Sequence, residues 1–362
     1  MPKPKTKFAR GFKKPTLEVS EAAIGQIISE DDKPWLDAKC DSFQPIPDPV
    51  CDIDWLAQYK ERGQTFDEFM EENPWSDGDK VNGYGKSFVP NGSTLPGRYP
   101  DGKIYIVEIG DFEDIAPDCQ VLADFASKYL GLPCEILDKF KVEEQDKVLT
   151  LTTSNHLENQ TKRRRTSQRK THFKLRHRRE GQKVQLHCPF LLGKLQHLIP
   201  ENGICLIGLT MFDLYEADAD LFVAGLADGN ARVALFSFAR YDPAISFSEE
   251  FWYKMKVRKN CLSIGNRKAK ILERSCKLLV HELGHLLGLA HCIFFECCMN
   301  GSGHLEEDFR QPIFLCPVCL HKLKTLCEFD IRKRYGLLQE FFASFGMLDC
   351  EQWVSKRLLI SN

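Results

Sequence analysis

Along the middle of the chain, apolar and polar positions alternate between a short-strand rhythm and a longer helical one. In "GKIYIVEIGDF", the apolar, largely β-branched set Ile104, Ile106, Val107 and Ile109 predicts a strand. The following "CQVLADFASKYLGL" spaces its apolar residues by three and four, as one face of a helix does. A second strand is expected near "CEILDKFKV", a short helix over "FLLGKLQHL", and apolar strands over "GICLIGLTMFDLY" and "RVALFSFARY". "DLFVAGLADGNA", between the last two, reads as a connection with turn residues. A long helix is predicted over 269–288, and the chain is helical again from Leu320. Strands alternating with helices indicate an α/β layered domain.

The flanks read differently. Residues 1–97 are rich in Pro, Gly and charge, with apolar islands such as "DWLAQYKERGQTFDEFMEENPW", and predict an irregular extension with one or two small helices, draped over the domain at 98–345. Residues 346–362 read as a helical tail. Within the domain, residues 155–183 break the pattern with eleven Lys/Arg between Lys162 and Lys183 against the single acid Glu180, which predicts a solvated insertion.

Composition narrows the function classes. A formal net charge of -2 over 362 residues gives no global attraction to nucleic acid or anionic membrane. Nucleic acid is not expected as a partner of the basic segment, where only His172, Phe173 and His177 offer stacking surface. No run approaches the ~20 apolar residues of a membrane span, and the basic N-terminus lacks the apolar core of a secretory signal. A cytoplasmic protein is expected, with nuclear import through the basic segment as the second option.

One string stands out against this background, "HELGHLLGLAHC" at 281–292. Positions i and i+4 of a helix share a face, so His281 and His285 can present their imidazoles to one point, with Glu282 placed to act on a water there. Gly288 can take a left-handed conformation and turn the chain sharply, which lets His291 swing back as a third ligand. The full H-E-x-x-H-x-x-G-x-x-H string, with Met299 downstream for the Met-turn, is the metzincin signature. Three protein ligands leave one position of a catalytic zinc open. Glu282 is then the general base for hydrolysis of a peptide bond.

Fifteen cysteines cannot all pair, and a third of them crowd into 28 positions. Cys292 and Cys297, joined by a loop to the C-x-x-C of Cys316 and Cys319, have the arrangement of a four-cysteine structural zinc. Cys298 neighbours Cys297 and could replace it as ligand. Two zinc ions are therefore expected, one catalytic and one structural. Cys40 and Cys51 lie in no recognisable pro-segment switch motif, though either has the chemistry to cap a metal.

A metzincin histidine string followed directly by cysteine, then C-x-M, then C-x-x-C, resembles the archaemetzincins. His281, Glu282, His285, Gly288, His291, Cys292, Cys297, Met299, Cys316 and Cys319 carry the resemblance. "LTMFDLY", "FSFARY", "RSCK" and "CPVCLHKL" extend it over most of residues 100–345, in the manner of the animal members. The resemblance implies a zincin-like α/β (α+β) fold with a twisted mixed sheet and an antiparallel edge strand. It also implies a long active-site helix and a small C-terminal subdomain around the second zinc. By the same analogy "ARVALFSFAR" holds the edge strand or its neighbour, along which a peptide or protein substrate could lie. The family is regarded as zinc metallopeptidases, with aminopeptidase-type action on peptides suggested. The alternative is a catalytically silent, zinc-stabilised scaffold that binds peptides.

Overall fold

The computed structural model describes residues 6–72, 75, 94–112, 114–153, 171–180, 183–247, 255–257 and 263–360. At its centre, β1 (Lys103–Ile109), β2 (Cys134–Ile136), β3 (Gly203–Thr210), β4 (Gly225–Asp228) and β5 (Val233–Ser237) form one sheet in the order β4-β5-β3-β1-β2. β1, β2, β3 and β5 run parallel, and β4 is antiparallel to β5. This is the mixed α/β sheet with an antiparallel edge that the resemblance implied.

The period of two sorts the strand residues between two cores. Ile104 and Ile106 of β1 face one apolar cluster, while Tyr105, Val107 and Ile109 face another. The same alternation splits Cys205, Ile207 and Leu209 from Leu206 on β3, and Ala234 and Phe236 from Val233 and Leu235 on β5. A strand buried on both faces has no polar side, so β3 is buried at every position.

Helices cover both faces. On the first lie α1 (Cys119–Leu130), the long α2 (Ile264–Leu286), α3 (Pro317–Cys327), α4 (Ile331–Ser344) and α5 (Leu348–Leu359). The second is covered by the helix Cys188–Leu195 and by short strands around Val148–Thr153. α2 starts five residues before the expected Ala269, because the Ser263 side chain accepts from Asn266 N and caps it there. α5 supplies the helix expected in the tail.

Three expectations need correction. The edge strand β4 lies in "DLFVAGLADGNA", which reads as a connection; "RVALFSFARY" provides its neighbour, β5. Gly225 and Asp228-Gly229 resemble turn signals, but a strand paired on one side and only half-buried needs no apolar run. The N-terminal segment holds more short helices than the one or two expected. It holds Leu17–Ala22, Glu30–Trp35, Trp55–Gln58 and Phe66–Glu72 as short helices, and Leu36, Phe43, Phe69 and Trp75 are buried in the same cluster as Met299 and Leu320. The basic insertion is narrower than 155–183. Residues 154–170 and 181–182 lie outside the described residues, but Thr171–Lys174 and His177–Glu180 are strands. Phe173 and Leu175 alternate with His172, Lys174 and Arg176 and turn inward onto the second core.

Candidate metal centre and cleft

The C-terminal turns of α2 carry His281, Glu282 and His285. Past Leu287 the chain reverses at Gly288, whose φ of 93° is the left-handed region expected of it, and Leu289 N returns to Gly284 O at 2.9 Å. That reversal brings His291 to the other two histidines. One ring nitrogen from each of the three lies within 4.8 Å of the others.

Hydrogen bonds decide which nitrogen each ring presents. His281 Nδ1 donates to Cys298 O at 2.7 Å, His285 Nδ1 to Leu289 O at 2.7 Å, and His291 Nδ1 to Glu61 Oε1 at 3.1 Å. These oxygens only accept, so every Nδ1 carries the hydrogen and every Nε2 is left as a lone pair. Burial pushes the pKa of His281 down to about 4 and that of His285 well below the usual value, so both rings are neutral at pH 7. Their Nε2 atoms nevertheless stand 3.0 Å apart. Two bare lone pairs repel at that distance, and a cation between them turns the repulsion into attraction. Nitrogens on a tetrahedral zinc stand about 3.3 Å apart, given bonds of ~2.0 Å. The donor set, its tautomers and its supporting acceptors fit such a metal.

Glu282 sits beside this point, and burial raises its carboxyl to about 8, with the Asp308 carboxylate pushing the same way. A cation held by the histidines would act against that rise. The group opens into a cleft of about 520 Å³ whose walls include residues 222–227, from β4 and the approach to it, together with Trp55, Tyr241 and Asp308. Among the described residues β4 pairs only with β5, and its Gly225, Leu226 and Ala227 line this cleft. Met299, fully buried, packs under α2 at Gly284, where an added Cβ would meet its Sδ at 2.5 Å. Gly284, between the two helical histidines, is thus what allows the sulfur so close.

Cys292, Cys297, Cys316 and Cys319 converge in a second group, buried, with their Sγ atoms all within 4.8 Å and Cys292 and Cys316 at 3.6 Å. Sulfurs on a tetrahedral zinc are about 3.8 Å apart. Met299 N and Cys316 N donate to Cys297 Sγ at 3.4 and 3.3 Å. Cys298 is not part of the group. Its Sγ faces Lys277 O at 3.8 Å, and burial pushes its thiol up to about 12.

Several residues around the centre were not singled out in the sequence. Glu61 and Trp55 come from the N-terminal segment, and Gln64 bridges the glycine turn, donating to Gly288 O and accepting from Ala290 N, each at 3.2 Å. A third group gathers Cys51, Asp54 and His304. There His304 Nε2 and Arg310 Nη2 both donate to Asp54 Oδ1 at 2.8 Å. Burial works against ionisation of Asp54, but the Val50 amide and these neighbours outweigh it and hold the carboxyl down at about 2. With a guanidinium on the carboxylate, the group is a polar clamp between the N-terminal segment and the loop after Met299. Cys51 is therefore engaged away from the three histidines, and Cys40 lies against Arg357. Asp213 and Arg240, inside the "LTMFDLY" and "FSFARY" stretches, form a buried two-point ion pair at 2.9 and 2.7 Å.

The profile of Peptidase family M54 matches residues 259–325, which contain the whole histidine string and all four clustered cysteines. Both residue clusters thus lie within the stretch that is similar to that family. Archaemetzincin-2 of Rattus norvegicus is 40% identical over 167 residues, covering 43% of this chain and 46% of that protein. Archaemetzincin-1 of Mus musculus is 33% identical over 177 residues, covering 44% and 34%. Over this part the chain is similar to the archaemetzincins. It spans less than half the length of these relatives. Among solved structures, the archaemetzincin of Methanopyrus kandleri aligns with 65% of this chain and 97% of its own at 24% identity, with a TM-score of 0.38.

Proposed function

We propose that the chain is a zinc metallopeptidase in which His281, His285 and His291 hold the catalytic metal and Glu282 is the general base. The observation that carries this reading is the pair of bare Nε2 lone pairs 3.0 Å apart, half-buried, with both Nδ1 hydrogens already spent on carbonyls. A zinc ion held there supplies Lewis acidity, which polarises a carbonyl and acidifies a water. Glu282 takes that water's proton and passes it to the leaving amine. Its raised affinity for a proton suits the second half of that task.

Substrate binding follows from the edge of the sheet. An extended peptide can add alongside β4, exchanging main-chain hydrogen bonds with its free side, and so bring a scissile bond over the histidines. Glu216 and Asp308 join Glu282 on the wall of the cleft. This acidic rim favours a substrate that brings an ammonium group, as a peptide with a free N-terminus does. The four-cysteine group is assigned a second, structural zinc that staples the loop carrying Met299 to α3. Among the described residues no helix is long and apolar enough to cross a membrane.

The test is cleavage of a peptide library by the zinc-loaded protein, read by mass spectrometry, with free and acetylated N-termini compared. Cleavage that stops on treatment with a zinc chelator and returns on adding zinc is expected, with the free termini preferred. Cleavage indifferent to the chelator would remove the metal from the reaction.

A further inference from the structure

We propose that Glu61 is the positioning residue of the third histidine, so that the segment around it is a working part of the metal centre; this rests on the zinc reading above. The three histidines are not supported alike. His281 and His285 lean on main-chain carbonyls of residues 298 and 289, supplied by the loop that follows the helix. His291 lies beyond the glycine turn, and its Nδ1 is held by a carboxylate 230 residues earlier in the chain. It is the only ligand of the three with a charged partner.

The carboxylate is itself fixed. Trp55 Nε1 donates to the same Glu61 Oε1 at 2.6 Å, and the Trp55 ring meets His291 edge-on with centroids 5.0 Å apart. Trp55 N in turn donates to both oxygens of Glu307 at 3.0 and 2.8 Å, and Gln64 grips the turn on either side of Leu289. The segment is therefore tied down at both ends of the short stretch that carries Glu61. A carboxylate on the far nitrogen of a ligating imidazole fixes its tautomer and orientation and raises its basicity, and removing such a partner typically weakens metal binding 10–100-fold.

The test uses the full chain, loaded with zinc and titrated with a chromophoric chelator, comparing wild type, Glu61→Ala, Glu61→Gln and a His285→Ala control. The control identifies which step of zinc release belongs to the histidines. Glu61→Ala is expected to release that zinc at about 10–100-fold lower chelator concentration. Glu61→Gln keeps an acceptor of the same shape and loses only the charge, so it is expected to fall between Glu61→Ala and wild type and carries the test if Glu61→Ala does not fold. The step belonging to the cysteines should not move. Cobalt substituted at the histidine site should show altered visible bands in both Glu61 variants. Wild-type release and unaltered cobalt bands in both variants overturn the inference and leave the peptidase reading standing. A lowered melting temperature with unchanged zinc affinity also overturns it, since Glu61 would then be structural only. If wild type and His285→Ala release zinc identically, the histidine site and this inference both fall.

Discussion

Glu282→Gln should leave the zinc content unchanged and lower peptide hydrolysis by roughly 10²–10⁴-fold, the range that a positioned general base contributes. The substitution keeps the size of the side chain and removes its capacity to take a proton. None of the three histidines uses Glu282 as a hydrogen-bond partner: their Nδ1 atoms are held by Cys298 O, Leu289 O and Glu61. Metal binding therefore has no reason to change, and the loss should fall on kcat and not on the zinc. Zinc analysis beside the rate of cleavage of a single peptide separates the two. An unchanged rate would show that proton transfer does not pass through Glu282 and would leave a metal-binding scaffold as the better description.

Cys319→Ser is expected to lose the second metal and most of the folded stability of the C-terminal part. Cys319 lies in the first turn of α3, while Cys292 and Cys297 lie in the loop after the histidines, so the group is the direct tie between them. Structural zinc contributes on the order of 10 kcal/mol to folding in small domains, comparable with the whole stability of an ordinary protein. The damage should also reach the histidines. Met299 O accepts from Cys292 N at 2.7 Å, and the carbonyl next to it, Cys298 O, orients His281. Loosening the loop therefore frees a floor residue and a ligand's support together. Thermal unfolding should show a midpoint lowered by more than ten degrees or so, or no soluble protein, and the surviving fraction should bind the catalytic zinc more weakly. A variant with wild-type melting and a full metal content would show that these four thiols are merely a packed cluster.

How much of this was legible in the sequence depended on how far apart the cooperating residues lie. The histidines and Glu282 sit within eleven positions, where helix geometry and one glycine determine the spacing, and the structure brings all three rings to one point. The cysteines are close enough for a C-x-x-C and its partners to be picked out, although spacing alone could not choose between Cys297 and Cys298; the difference lies in which way each side chain turns from adjacent backbone positions. Glu61 could not be seen. Its partner is 230 residues away, and the apolar islands around Trp55 and Phe69 have no period long enough to announce an ordered element. The edge strand β4 was hidden for another reason, since Gly225 and Asp228 imitate a turn and a half-buried edge needs no apolar signature. The inner strands, buried on both faces, announced themselves by their unbroken apolar runs.

The claim on which the rest depends is that His281, His285 and His291 form one metal site and the four cysteines another. Zinc counted per folded chain, by elemental analysis of wild type and of His281→Ala/His285→Ala, tests it most directly. About two zinc ions in wild type and about one in the variant are predicted from the two ligand sets. A folded wild-type protein with fewer than one, or a variant that holds as much zinc as wild type, would contradict it.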